Sequence, residues 1–188
     1  MFHDARSRKI VFVSHCFLNQ NSISDGTADF PAANRTIVSL LLEHDVGIVQ
    51  MPCPELLCLG LDRGDVHGGE RPVIVENTRI RGALQTPEAS LRLHPLVEQV
   101  VYQMEQYQQN GFSVLGVVGI NRSPSCGIET TSAQDEEVAG MGVFMAALKQ
   151  KLDARGILLP MVGIKANETE RAVDTVRRLL GISNSDPS

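Results

Sequence analysis

Four short stretches of the chain, residues 9–14, 46–51, 112–119 and 158–164, are nearly continuous in apolar, β-branched side chains. Runs of that length without polar alternation read as strands buried on both faces, as in a parallel sheet. Between them the apolar positions recur at helical spacing. Residues 34–43 carry Ile37, Val38, Leu40, Leu41 and Leu42, and residues 91–109 carry Leu96, Val97, Val100, Val101 and Met104 before a stop at Gly111. Two further helices are expected at 143–155, closed by Gly156, and at 169–180, capped by Asn167 or Thr169. Strand and helix in alternation predict an α/β fold: a doubly wound, mostly parallel sheet of four to five strands with helices on both faces. The rhythm breaks at 59–88, which holds Gly60, Gly64, Gly68, Gly69 and Gly82 and suggests a hairpin over 72–81 turning near Asn77. This is read as a Gly-rich insertion beside the site, so that 1–182 form one domain and 183–188 a flexible tail.

Composition narrows the classes. With 188 residues, 43% of them hydrophobic and 21% charged, the chain has the makings of one globular core. A net charge of -5 without a lysine or arginine run argues against bulk nucleic acid as a partner. No apolar stretch approaches the ~18 residues of a membrane span. The polar start and short first apolar run do not resemble an export signal. The expectation is a cytoplasmic protein whose four cysteines are reduced, which favours metal or catalytic roles over disulfides. The oligomeric state is not legible.

Three of those cysteines follow successive strands. Cys16 lies in Ser14-His15-Cys16, Cys53 in Met51-Pro52-Cys53-Pro54-Glu55, and Cys126 in Ser123-Pro124-Ser125-Cys126-Gly127. In an open parallel sheet those loops share the carboxyl edge, where such folds bind ligands. Strands about 4.8 Å apart would bring the thiols to one centre. Cys58, among Leu56, Leu57, Leu59 and Leu61, reads as a packed side chain. Soft thiolates suit zinc or iron–sulfur clusters. The close pairs typical of structural zinc are absent, and three dispersed ligands fit a cubane with one open iron, although spacing alone leaves the metal undecided. Two other classes stay open: a metal-free cysteine enzyme using Cys53 or Cys126 with His15 as base, and a non-catalytic small-ligand or zinc-binding α/β module. Glu55 fits a general acid or base beside a ligand, or an acid at a helix start. Ser123 before Pro124 predicts a helix N-cap, and a helix there would lower the pKa of Cys126. Arg63, Arg122 and Asn19 are candidates to contact a substrate.

The segments around the three cysteines resemble the 2-thiouracil desulfurase family, formerly a domain of unknown function. The resemblance rests on Val13-Ser14-His15-Cys16, Cys53-Pro54-Glu55 and Ser123-Pro124-Ser125-Cys126-Gly127, with Gly140-Met141-Gly142 leading into Ala146-Ala147-Leu148. Phe17-Leu18-Asn19 and Leu56-Leu57-Cys58 stand where the family shows Leu-Leu-Gly and Gly-Gly-Leu, which marks a divergent, desulfidase-like branch. The resemblance implies a [4Fe-4S] cluster on Cys16, Cys53 and Cys126 whose fourth iron is open to the sulfur of a thiolated small molecule. It also implies non-redox C–S cleavage and catalytic roles for Glu55 and Ser123.

Overall fold

The computed structural model describes residues 2–182; the expected tail at 183–188 lies outside them. In chain order the elements are β1 (Lys9–Val13), α1 (Arg35–Glu43), β2 (Gly47–Gln50), α2 (Pro54–Leu59), α3 (Val73–Leu84), α4 (Pro87–Gln109) and β3 (Ser113–Ile120). They continue with β4 (Thr130–Ala133), β5 (Glu136–Ala139), α5 (Val143–Ala154), β6 (Met161–Ile164) and α6 (Thr169–Leu180). The main sheet has the order β2-β1-β3-β6 with every pairing parallel. Both of its faces are covered, which is why its strands are apolar at consecutive positions. Ile10 and Phe12 point into a core with α4 and α5, built on Val97, Val101, Met104, Phe144 and Leu148. Val11 and Val13 point the other way, against Ile37 and Leu41 of α1 and Val176 of α6. The expected doubly wound α/β architecture is present, with four strands in the main sheet.

The strand order places the ligand edge. From β1 the chain turns outward through α1 to β2, and from β3 it turns the opposite way to β6. The connections diverge between β1 and β3, and the crevice at their carboxyl ends is where doubly wound sheets receive ligands.

Several expectations change. Residues 73–84 form a helix, not a hairpin: the Val73-Ile74-Val75 run looks like a strand, but Asn77, Ile80 and Leu84 make one buried helical face. The hairpin of this fold is β4–β5, which turns on Gln134 and Asp135, both left-handed at φ 55° and 58°. The fourth strand of the sheet begins at Met161, after Pro160, which has no N–H to give, and after the exposed Leu158. Glu168, rather than Asn167 or Thr169, occupies the cap position of α6. Among the described residues no helix is long and apolar enough to cross a membrane.

Candidate functional site

A cavity of roughly 290 Å³ opens at the carboxyl edge of the sheet, and Cys16, Cys53 and Cys126 all line it. Cys16 sits in a single 3-10 turn directly after β1, Cys53 at the N-cap of α2 ahead of Pro54, and Cys126 in the turns after β3. Cys126 is buried, and Cys16 and Cys53 are half-buried. Burial pushes all three thiols upward. Cys16 rises well above its ordinary value, helped by the charges of Cys126 and Cys53, and Cys126 rises to about 12. Cys53 is raised by burial and then by Glu55. Burial leads in each case, and a cation bound beside the thiols would offset it.

The expected helix at Ser123 does not form. The chain instead folds back: Gly127 N–H donates to Ser123 O (3.2 Å) and Ile120 N–H to Cys126 O (3.0 Å), and the next segment is β4. No helix starts at Ser123 beside Cys126; the N-terminus of α5 meets this turn instead, its first N–H groups donating to the Pro124 and Ser125 carbonyls. Ser123 still acts locally as a cap would, its Oγ accepting from Cys126 N–H at 2.9 Å and Ser125 N–H at 3.3 Å.

Glu55 stands in the first turn of α2, lines the cavity and is buried. Its carboxylate accepts from Ser125 Oγ (2.6 Å), Ser24 Oγ (3.1 Å) and Arg63 Nε (3.1 Å). Ser123 Oγ lies 3.2 Å from Ser125 Oγ. With the Ser125 proton committed to Glu55, Ser123 is the donor of that pair, so two hydroxyls stand in series behind the carboxylate. Ser24 and Ser125 were not among the candidates. Ser125 had a signal, its place beside Cys126 in the Ser-Pro-Ser-Cys run; Ser24, 31 positions from Glu55, had none.

Arg63 lines the cavity, and its guanidinium is held by the protein itself. Besides Glu55 it donates to the carbonyls of Gly60 (3.1 Å), Leu61 (2.9 Å) and Ser22. Arg122 also lines the cavity, left-handed at φ 71°, half-exposed and 3.6 Å from Glu137. Asn19 is not part of the lining; its side chain accepts from Asn21 N–H at 3.1 Å and shapes a turn. His15 lines the cavity, and burial holds its imidazole below the ordinary value. Cys58 packs in the core with Ile80 and Val101.

Comparison with known proteins gives distant likeness. The chain is 24% identical over 177 residues, 93% of its own length and 99% of the other's, to the uncharacterized protein MJ0003 of Methanocaldococcus jannaschii. A solved structure titled as the [4Fe-4S]-dependent thiouracil desulfidase TudS is similar over 93% of this chain and 99% of that one, at 18% identity and a TM-score of 0.42. No family model matches the chain. A likeness this loose leaves the function to be argued from the site.

The donor set can be weighed against each kind of metal. Among the described residues no group of three or more His, Cys, Asp or Glu side chains is gathered to hold a single ion. A cubane makes a different demand, because each thiolate binds its own iron and the sulfurs stand apart around the cluster. Three dispersed cysteines on one cavity, without a close pair, fit that requirement better than they fit zinc.

Proposed function

We propose that the chain holds a [4Fe-4S] cluster on Cys16, Cys53 and Cys126 and removes sulfur from the thiocarbonyl of a small molecule bound in the same cavity. The observation that carries this reading is the convergence of three cysteine loops on one cavity that also contains the buried Glu55. The ordered cysteine motifs and their resemblance to the desulfurases support it. When bound, such a cluster supplies an open iron that acts as a Lewis acid with affinity for sulfur.

The chain's own residues supply positioning and proton transfer. The reaction is a hydrolysis without redox change: water and C=S become C=O and hydrogen sulfide. Ser24, Ser125 and Arg63 fix both oxygens of Glu55, leaving about one of the carboxylate's four acceptor positions for a water. In that orientation Glu55 takes a proton from the attacking water and returns one to the departing sulfur. Ser123 and Ser125 extend the path away from the carboxylate. The same cavity, roughly 290 Å³ and open to solvent on one side, receives the substrate beside the cluster.

A metal-free cysteine nucleophile fits less well. Its thiol needs a lowered pKa or an adjacent base. All three thiols are pushed upward instead. The test is anaerobic reconstitution with iron and sulfide, then iron analysis and a sulfide-release assay over thiolated bases and small thioamides. About four irons per chain and sulfide release that depends on Glu55 are expected. Failure to bind stoichiometric iron, or equal activity without it, would overturn the proposal.

A further inference from the structure

Asn77, placed by the sequence at the tip of a hairpin, instead sits on α3 with its side chain in the wall of the cavity. Its position is fixed from both sides. Ile80 and Leu84 on the same helix are fully packed, and Thr78 Oγ1 accepts from Asp135 N–H at 2.9 Å, tying α3 to the β4–β5 turn.

The amide itself is oriented by one neighbour. Ser132 is wholly buried, and its hydroxyl donates to Arg122 O at 2.6 Å. A hydroxyl has one hydrogen, so toward Asn77 the Ser132 oxygen offers only lone pairs. The group it receives at 3.3 Å must therefore be the amide nitrogen, Asn77 Nδ2. That leaves Oδ1 on the other side of the amide, and it accepts no hydrogen bond among the described residues. Asn77 is only 9% exposed and lines the cavity, and its Oδ1, which has no protein partner among the described residues, keeps the solvent access through which a ligand in the cavity can reach it.

We propose that Asn77 is a specificity residue that accepts a hydrogen bond from a ring N–H of the substrate, restricting the site to cyclic thioamides with a free N–H. This inference rests on the desulfidase reading above. A substrate N–H completes the relay from the ligand through Asn77 and Ser132 to the Arg122 carbonyl. An N-alkylated ring would bury the acceptor unpaired, which is the kind of loss that makes hydrogen-bonding sites selective.

Reconstituted protein is assayed with 2-thiouracil and with its 1,3-dimethyl derivative. The wild type is expected to show a KM about 10- to 100-fold lower for the ring that carries N–H. Asn77→Leu should raise that KM and shrink the ratio to less than about threefold, with kcat little changed. A wild type that treats both rings alike, or an Asn77→Leu enzyme that still distinguishes them, overturns the inference. If Asn77→Leu does not fold, Ser132→Ala removes the lock on the amide, and an unchanged ratio there overturns it equally. If the wild type releases no sulfide from either ring, the desulfidase reading fails on its own. Calorimetric titration of uracil against 1,3-dimethyluracil then measures the same ratio as Kd, and equal binding in wild type and Asn77→Leu removes the role of Asn77 as well.

Discussion

The two walls of the cavity are held by different forces. On the Glu55 side, three segments that share no secondary structure meet through side chains. Glu55 of α2 is clamped by Ser24 from the loop after β1, and Arg63 reaches the Ser22 carbonyl of that same loop. On the Cys126 side the backbone carries the structure. Val143 N–H donates to Pro124 O (2.9 Å), while Phe144 and Met145 N–H both donate to Ser125 O (3.1 and 3.2 Å), so the turn caps the start of α5. The first wall should therefore respond most to charge, and the second to volume. Changes on the first wall should alter chemistry and ion pairing, and changes on the second should act through volume and shape.

The largest effect expected is on turnover. Glu55→Gln keeps size and shape but removes the proton acceptor, and sulfide release by the reconstituted protein should fall by about 10²- to 10⁴-fold. Iron content, read in parallel, should stay near that of the wild type. A Glu55→Gln protein with most of its activity would remove this wall from the mechanism.

Next in size is the ion pair. Arg63 and Glu55 are almost wholly buried and 3.1 Å apart. Arg63→Met leaves the carboxylate uncompensated and should cost about 3–5 kcal/mol, visible as a lower midpoint in urea unfolding. The Glu55→Gln, Arg63→Met double variant removes the stranded charge and should regain much of that loss. If the double is as unstable as the single, the coupling lies elsewhere than in the pair.

The same contrast explains what the sequence revealed. The strands were visible because a sheet covered on both faces demands unbroken apolar runs, and the meeting of Cys16, Cys53 and Cys126 follows from parallel topology once three cysteines stand after three strands. Helix α3 was obscured because Val73-Ile74-Val75 favours a strand locally, while the burial of Ile80 and Leu84 against the rest of the molecule decides for a helix. The Glu55 clamp was invisible for another reason. Its partners come from separate loops, and nothing in the local pattern distinguishes an arginine that meets a ligand from one that turns back to a buried carboxylate. The left-handed backbone of Arg63 (φ 56°) and of its neighbour Gly64 (φ 75°) belongs to a turn whose path no periodicity encodes.

On the second wall the pH response comes next. In metal-free protein the folded Cys126 pKa of about 12 lies above its reference value of 9.0. The folded state thus retains a proton that the unfolded chain gives up. That contribution to stability is complete below pH 9 and is lost as pH rises toward about 12. The expected slope is at most a few kcal/mol across that window. Cys126→Ala should make it shallower, because alanine has nothing to titrate and only the raised thiols of Cys16 and Cys53 remain. Equal slopes in wild type and variant would show that Cys126 ionises freely in the folded protein and that burial does not govern this wall.

The smallest expected effect separates volume from charge most cleanly. Gly142 precedes α5 and faces the turn of Cys126; a Cβ added there would stand 2.8 Å from Cys126 N and 2.5 Å from Ser125 O. Its φ of -65° suits any residue, so the objection to alanine is space alone. The obstacle is backbone, not the end of a flexible side chain, so the turn must move for the methyl to fit. Gly142→Ala should cost about 1–3 kcal/mol, in the range of an overpacked core. It should also lower the iron bound per chain after reconstitution, because the displaced turn carries Cys126 with it and disturbs the Ser125 bond to Glu55, while the Arg63 and Ser24 contacts of Glu55, which lie outside that turn, stay. Unfolding midpoint and iron content measured on the same samples decide the point. A Gly142→Ala protein with wild-type stability and full iron would mean that the turn yields easily, and that the backbone wall is no more exacting about volume than the side-chain wall facing it.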